Sequence, residues 1–245
     1  MGPIVRLRAW LCSTLDLFFP RHCLGCESDL VGTESLVCGR CRVVVEQRNA
    51  QRCARCASEI DAARRTRASC RTCRDVVFAF RGAVAALRYR GPVRSIVLAI
   101  KFGRRAEGVE VLADRLADAI LARRTDRRID VVVPIPLHPL RRLVRGFDQA
   151  ERLAVAVARR LQKPCVRLAL RRARATRRQA TLRRAERVRN VRTSFVAGWL
   201  AFRVRGRRVL LVDDVMTSGA TAQAAAAVLL AAGARVVIVA VAARG

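Results

Sequence analysis

Two adjacent carboxylates, Asp213 and Asp214, follow four apolar residues, Val209-Leu-Leu-Val212, and precede Val215, Met216 and the small turn Thr217-Ser218-Gly219-Ala220-Thr221. They are the only acids after Glu186. The apolar run predicts a buried strand with both acids at its carboxyl end. Carboxylates placed there cost desolvation unless they meet a cation or hydrogen-bond donors, and a diol with a divalent cation supplies both. The turn opens an Ala-rich helix, Ala222 to Ala232. The N–H groups at such a helix start suit a phosphate. In an open parallel sheet this strand-to-helix corner is where ligands bind. A structural corner without a ligand would explain the apolar run, but not two acids in a stretch that otherwise carries none.

Eight of the ten cysteines form four C-x-x-C pairs: Cys23/Cys26, Cys38/Cys41, Cys53/Cys56 and Cys70/Cys73. Each pair presents two thiolates to one metal, and two pairs make a closed tetrahedral zinc site. The expectation is therefore one or two structural Zn²⁺ ions. Sequential pairing (23, 26, 38, 41, then 53, 56, 70, 73) and interleaved pairing use the same residues and look alike in sequence. Four thiolates per ion leave His22 no vacancy. Cys12 and Cys165 have no partner spacing and read as buried thiols. A disulfide framework would not repeat one two-residue gap four times, so the thiols fit a reducing, cytoplasmic setting.

The formal net charge is +30, and 47 of the 49 basic residues are arginine, only Lys101 and Lys163 being lysine. Residues 141–192 hold 18 basic and 3 acidic side chains. A field of that sign favours a polyanion, either nucleic acid or a pyrophosphate ester. A solvated Arg-rich face, or G+C-rich coding, would give the same composition. The two Trp, one Tyr and eight Phe suggest no base-stacking platform, so nucleic-acid contacts would go to the backbone. No stretch is apolar over the roughly 20 residues of a membrane span. Ile4, Leu7, Leu11, Leu15 and Phe18 recur at helical spacing before Pro20, predicting a short amphipathic helix rather than a signal peptide.

The elements that must position the two acids follow from the hydrophobic pattern. Val76 to Arg90 reads as a strand pair, Val93 to Phe102 as a helix after Pro92, and Val109 to Arg123 as a helix with Leu112, Leu116 and Ile120 on one face. Ile129 to Val133 is a buried strand that leaves the sheet at Pro134-Ile-Pro136. A basic loop bearing Arg141, Arg142 and Arg145-Gly146 follows, and Asp148 caps a helix over 149–161. Two anion sites would flank one cleft. Residues 171–193 read as a polar arm.

The pattern over 209–221 resembles the ribose-phosphate signature of type I phosphoribosyltransferases. The resemblance implies an open, mainly parallel α/β sheet with flanking helices. It also implies that Asp213 and Asp214 hold the ribose of phosphoribosyl pyrophosphate, followed by Val215 and a 5′-phosphate turn of Thr217, Ser218, Gly219, Ala220 and Thr221. The magnesium-binding strand of P-loop ATPases also ends in two acids, but no G-x-x-x-x-G-K-[ST] occurs here. Pro134-Ile-Pro-Leu137, Arg141-x-x-x-Arg145-Gly-Phe-Asp-Gln149, and Arg172-x-x-x-Thr176-x-x-Gln179-x-x-Leu182 with Arg187-x-x-Asn190 resemble the ComF family. Asp148 stands where Asn is common there, and Ser218 where Thr is usual. That family joins a zinc-ribbon head to a phosphoribosyltransferase-like domain and is associated with competence.

The resemblance implies three segments: an N-terminal helix (1–20), a double zinc ribbon (21–75) and a phosphoribosyltransferase-like domain (76–245). It assigns pyrophosphate and lid contacts to Lys101, Arg141, Arg145, Gly146, Arg174, Thr176, Gln179, Arg187 and Asn190, with Mg²⁺ accompanying phosphoribosyl pyrophosphate. Transfer of the phosphoribosyl group to an acceptor is one implied function. The other is a non-catalytic adaptor for single-stranded DNA or a competence helicase. No side chain stands out as a general base.

Overall fold

The computed structural model describes residues 21–30, 36–47, 51–60, 70–74, 76–103, 105–173 and 194–245. The helix expected over 4–19 and the arm residues Arg174, Thr176, Gln179, Arg187 and Asn190 lie outside them. The elements are α1 (Gly39–Glu46), α2 (Arg71–Arg74), β1 (Gly82–Arg88), α3 (Gly91–Phe102), α4 (Gly108–Ala122), β2 (Val131–Pro134), α5 (Pro139–Arg145), α6 (Gln149–Arg160), β3 (Leu170–Arg172), β4 (Phe195–Ala197), β5 (Arg208–Met216), α7 (Ala220–Ala231) and β6 (Val236–Arg244).

Four strands form one parallel sheet in the order β1-β6-β5-β2. Strands buried on both faces read as continuous apolar runs, which is how the central β5 and β6 read. Pro134 is tolerated because β2 is an edge strand and the proline is its last residue. The β2 edge is partly covered, since Val132 donates to Pro164 O and accepts from Val166 N. Helices α4 and α6 pack on one face and on each other. Leu112, Leu116 and Ile120 are buried there, as their spacing predicts. The other face is covered by α7, whose buried Ala224, Ala225 and Ala226 let it lie close over β5 and β6. The antiparallel β3–β4 pair packs beside α7; of the arm expected over 171–193, residues 174–193 lie outside the described residues.

The head is built twice on one plan. Arg21 to Leu30 and Gln51 to Ile60 each fold as a knuckle closed by an antiparallel bridge, His22 with Asp29 and Arg52 with Glu59. Each places the residue after its second cysteine at positive φ, Glu27 at 63° and Ala57 at 56°. Gly25 is required in the first knuckle, since a Cβ there would stand 2.8 Å from Cys41 Sγ. The two halves pack on opposite faces of the sheet. Cys23, Leu24 and Cys41 join the core with α3 and α4, while Cys53, Cys56, Cys70 and Cys73 join the core with α7.

Two local expectations are corrected. Val76 to Arg90 is not a strand pair: only β1 is a strand, because the preceding segment is held by side chains instead of a ladder. The Arg55 guanidinium donates to the carbonyls of Phe78 and Phe80, and Gln223 Oε1 accepts from Ala79 N at 2.5 Å. The basic loop after Pro136 contains a helix, α5. His138 caps it by accepting from Leu140 N, Pro139 is its first residue, and Gly146 ends it with φ of 79°.

Candidate functional site

Two clusters of four cysteines stand out among the described residues: Cys23, Cys26, Cys38 and Cys41, and Cys53, Cys56, Cys70 and Cys73, with the ligand atoms of each cluster within 4.8 Å of one another. The pairing is therefore sequential. A tetrahedral ion with Zn–S of about 2.3 Å holds its sulfurs about 3.8 Å apart. The observed Sγ–Sγ separations of 3.6 Å (Cys26–Cys38), 3.7 Å (Cys53–Cys73) and 3.5 Å (Cys56–Cys70) fit that ion. The backbone N–H groups of Gly25 and Cys38 donate to Cys23 Sγ, as they would to a thiolate. Burial pushes the Cys41 and Cys73 thiols up, so four thiolates persist together only around a cation. These are structural zinc sites: each set is complete without water.

The acids lie inside β5 rather than beyond it, with Asp213 paired in register with Val241 of β6. Asp214 is buried, and Lys101 Nζ lies 2.8 Å from its Oδ2 as an ion pair without hydrogen-bond alignment. Asp213 is half-buried, and its Oδ1 accepts from Asp214 N at 2.8 Å. Burial first, and the Asp214 carboxylate second, hold the Asp213 carboxyl well above the usual carboxylate range. Val215 packs against the core on the α3 side.

The turn after β5 is shaped for close approach. Thr217 and Ser218 are exposed, Ala220 and Thr221 are half-buried, and Ser218 Oγ accepts from Ala220 N. Gly219 enters α7 at φ of 81°, and a Cβ there would stand 3.1 Å from the Phe78 ring. The opening N–H groups of a helix lack intrahelical acceptors, so this turn presents donors to an anion.

The basic segment reaches the same end of the sheet because β2 and β5 are adjacent and parallel, Pro134 lying beside Val212. Asp148 fixes the segment by accepting from Leu137 N, Ala150 N and Glu151 N. Arg145 stacks over the Phe102 ring at 5.2 Å, joining α5 to the end of α3 that carries Lys101. Arg141 is half-buried and Gly146 exposed. Arg172, on β3, lies within electrostatic reach of Arg141, Asp213 and Asp148 and stacks on Phe195 at 5.2 Å.

Three residues were not singled out from sequence. Gln149 is buried with Asp214 around a void of about 10 Å³, and its Oε1 has no partner among the described residues. It closes the Arg141-x-x-x-Arg145-Gly-Phe-Asp-Gln149 motif, which was the available signal. Arg172 belonged to a recognised motif. Buried Arg244 had no signal. Its guanidinium donates to Cys56 O, Ser58 Oγ, Met216 O, Thr217 O and Gly245 O, tying the second zinc knuckle to the turn.

Residues 14–77 match the family described as Double zinc ribbon domain, and residues 105–245 match Phosphoribosyl transferase domain. The chain is 35% identical over 136 residues to the DNA utilization protein YhgH of Escherichia coli strain K12, covering 54% of this chain and 59% of that protein. It thus matches less than two thirds of that relative's length. The protein of the same name from Salmonella typhimurium is 30% identical over 208 residues, 84% of this chain and 88% of the relative. Competence protein F of Haemophilus influenzae is 27% identical over 207 residues, 83% and 88% of the two chains.

Proposed function

This chain belongs to the ComF family, a double zinc ribbon joined to a phosphoribosyltransferase domain, and from that premise we propose that its acid corner binds phosphoribosyl pyrophosphate with Mg²⁺ and transfers the phosphoribosyl group to an acceptor. The observation that carries the proposal is the juxtaposition of Asp213, Asp214 and the Gly219 turn with Lys101 at one strand end.

The ribose 2′- and 3′-hydroxyls donate to the Asp213 and Asp214 carboxylates. The N–H groups opening α7, with the hydroxyls of Thr217, Ser218 and Thr221, hold the 5′-phosphate. Asp213 and Asp214 are also the residues that fit Mg²⁺, a hard cation that takes carboxylate and phosphate oxygens and would neutralise pyrophosphate. The acceptor attacks the anomeric carbon as its bond to the pyrophosphate oxygen breaks, and pyrophosphate leaves with the electron pair. Arg141 and Arg145 stabilise that developing negative charge. Calorimetric titration of the zinc-loaded protein with phosphoribosyl pyrophosphate and Mg²⁺ tests this reading. Binding to wild type that is lost in Asp213→Asn/Asp214→Asn is the expected result, and no binding to wild type at low salt would sink it.

A second reading, a DNA-processing adaptor on the same fold, is favoured by the arginine excess and by the relatives' names, DNA utilization and competence. Single-stranded DNA or a helicase would then be the partner. No helix among the described residues is long and apolar enough to cross a membrane. The two readings separate in the double Asn variant, which loses turnover but keeps DNA affinity if DNA binds elsewhere.

A further inference from the structure

A cavity of about 1140 Å³ lies at the opposite end of the sheet from the acid corner. Its wall includes Gly82 at the start of β1, Arg208 at the start of β5 and Val236 at the start of β6. Seven arginines line it. Three have partners within the fold: Arg55 on the Phe78 and Phe80 carbonyls, Arg123 on Ala83 O, and Arg208 on Asp130 at 2.7 Å. Arg52 is only 7% exposed, and while its Nη1 donates to Ala57 O, its Nε and Nη2 have no hydrogen-bond partner among the described residues. Arg81, Arg128 and Arg235 are exposed and have no ion-pair partner among the described residues.

Positive charge remains in excess after the nearby negative groups are counted. Asp130 serves Arg208, Glu59 is engaged by Arg88, and a zinc ion with four thiolates carries a formal charge of only about −2. Concentrating like charges around one cavity raises the free energy of the empty protein, and a buried guanidinium with two unpartnered nitrogens raises it further. An anion offering several oxygens relieves both costs. Arginine's planar fork matches phosphate oxygens, and several forks around one cavity match several phosphates. No aromatic residue lines the wall, so nothing there stacks a base.

We propose that this cavity is a second anion site that takes a phosphate chain, recognised through its oxygens and independent of base identity. The inference does not rest on the acid-corner reading, because no residue is shared and Asp213→Asn/Asp214→Asn should leave this binding intact. The test uses the full zinc-loaded chain with two probes, inorganic tripolyphosphate and a fluorescein-labelled oligothymidylate. Arg81→Gln, Arg128→Gln and Arg235→Gln are combined in one variant. Arg40→Gln, Arg94→Gln and Arg203→Gln, exposed arginines outside the cavity wall, make a charge-matched control. Zinc content and thermal midpoint verify that both variants are folded.

The cavity variant should lose at least about tenfold in affinity. Each phosphate contact on a single strand contributes about 0.7 to the slope of log K against log salt, so the slope should fall by about 2. Weakening of both probes supports the site for any phosphate chain. Weakening of the oligothymidylate alone makes the source a nucleic-acid backbone, and of tripolyphosphate alone a free polyphosphate. Unchanged binding of both probes overturns the inference, as does an equal loss in the control variant.

Discussion

Replacing Lys101 by Met keeps the length of the side chain but removes the only cation paired with buried Asp214 among the described residues. The two side chains are 19% and 10% exposed, and their charged atoms are 2.8 Å apart. At an effective dielectric of about 20, unit charges at that distance attract by about 6 kcal/mol. Most of that attraction offsets the desolvation of the two groups, so the pair itself adds little net stability. Breaking it from one side is different, because Asp214 stays buried and loses its counter-charge. Loss of one partner from a buried pair costs about 3–5 kcal/mol. Lys101→Met should therefore destabilise the ligand-free protein by that amount. Adding Asp214→Asn should restore stability to within about 1 kcal/mol of wild type. Urea unfolding of the four zinc-loaded proteins of this double-mutant cycle at pH 7 reads both quantities. A single variant that loses less than about 1 kcal/mol, or a double variant no better than the single, would refute the ion pair as what neutralises Asp214.

Three further outcomes follow from the same contacts. Arg244→Lys keeps the charge but cannot reach five acceptors, so it should cost about 2–3 kcal/mol and weaken phosphoribosyl pyrophosphate binding, read by thermal shift and calorimetry, through the turn that Arg244 holds. Removing zinc with a strong chelator should lower hydrogen-exchange protection in β5 and β6 as well as in the head, since the second cysteine cluster shares their core; protection unchanged in the sheet would contradict that coupling. Asp213 binds its proton more tightly folded than unfolded, so its contribution to stability falls as pH rises above 3.8 towards its folded value. Asp213→Asn should accordingly make the ligand-free protein more stable at pH 7, by about 1 kcal/mol, with the gain closing as pH approaches 3.8; a variant less stable than wild type at pH 7 would contradict this.

What could be read from sequence was what neighbouring residues determine. The run from Val209 to Thr221, the four C-x-x-C knuckles and the Asp148 cap are local, and strand, turn and cap preferences act over a few positions. Helix α5 was also locally encoded by His138, Pro139 and Gly146, but its charge and flanking prolines disguised it as a loop. The failures lie where partners are distant in the chain. Val76 to Phe80 is a continuous apolar run that reads like a strand, yet Arg55 and Gln223 capture its backbone groups from 23 and 144 residues away. Arg244 reaches Cys56 across 188 residues, a contact no periodicity announces. Likewise, the choice between sequential and interleaved cysteines is a matter of three-dimensional distance, which identical spacings do not encode.

The placement of the two zinc knuckles explains why a head with little core of its own bears on the acid corner. The first knuckle lies against α3 and α4: a Cβ on Gly25 would meet Pro92, and one on Gly108 would meet both Leu24 and Ile100. Helix α3 is the element that carries Lys101 to Asp214. The second knuckle lies against the opposite face, where Cys56 O and Ser58 Oγ hold Arg244, and Arg244 in turn holds the carbonyls of Met216 and Thr217. One zinc site therefore stands behind the lysine paired with Asp214, and the other behind the turn that opens α7. Metal–thiolate bonds supply folding free energy that a small polar segment cannot obtain from apolar burial. Here that free energy is delivered from both faces of the sheet to the single strand end where Asp213, Asp214 and Gly219 must be held in register.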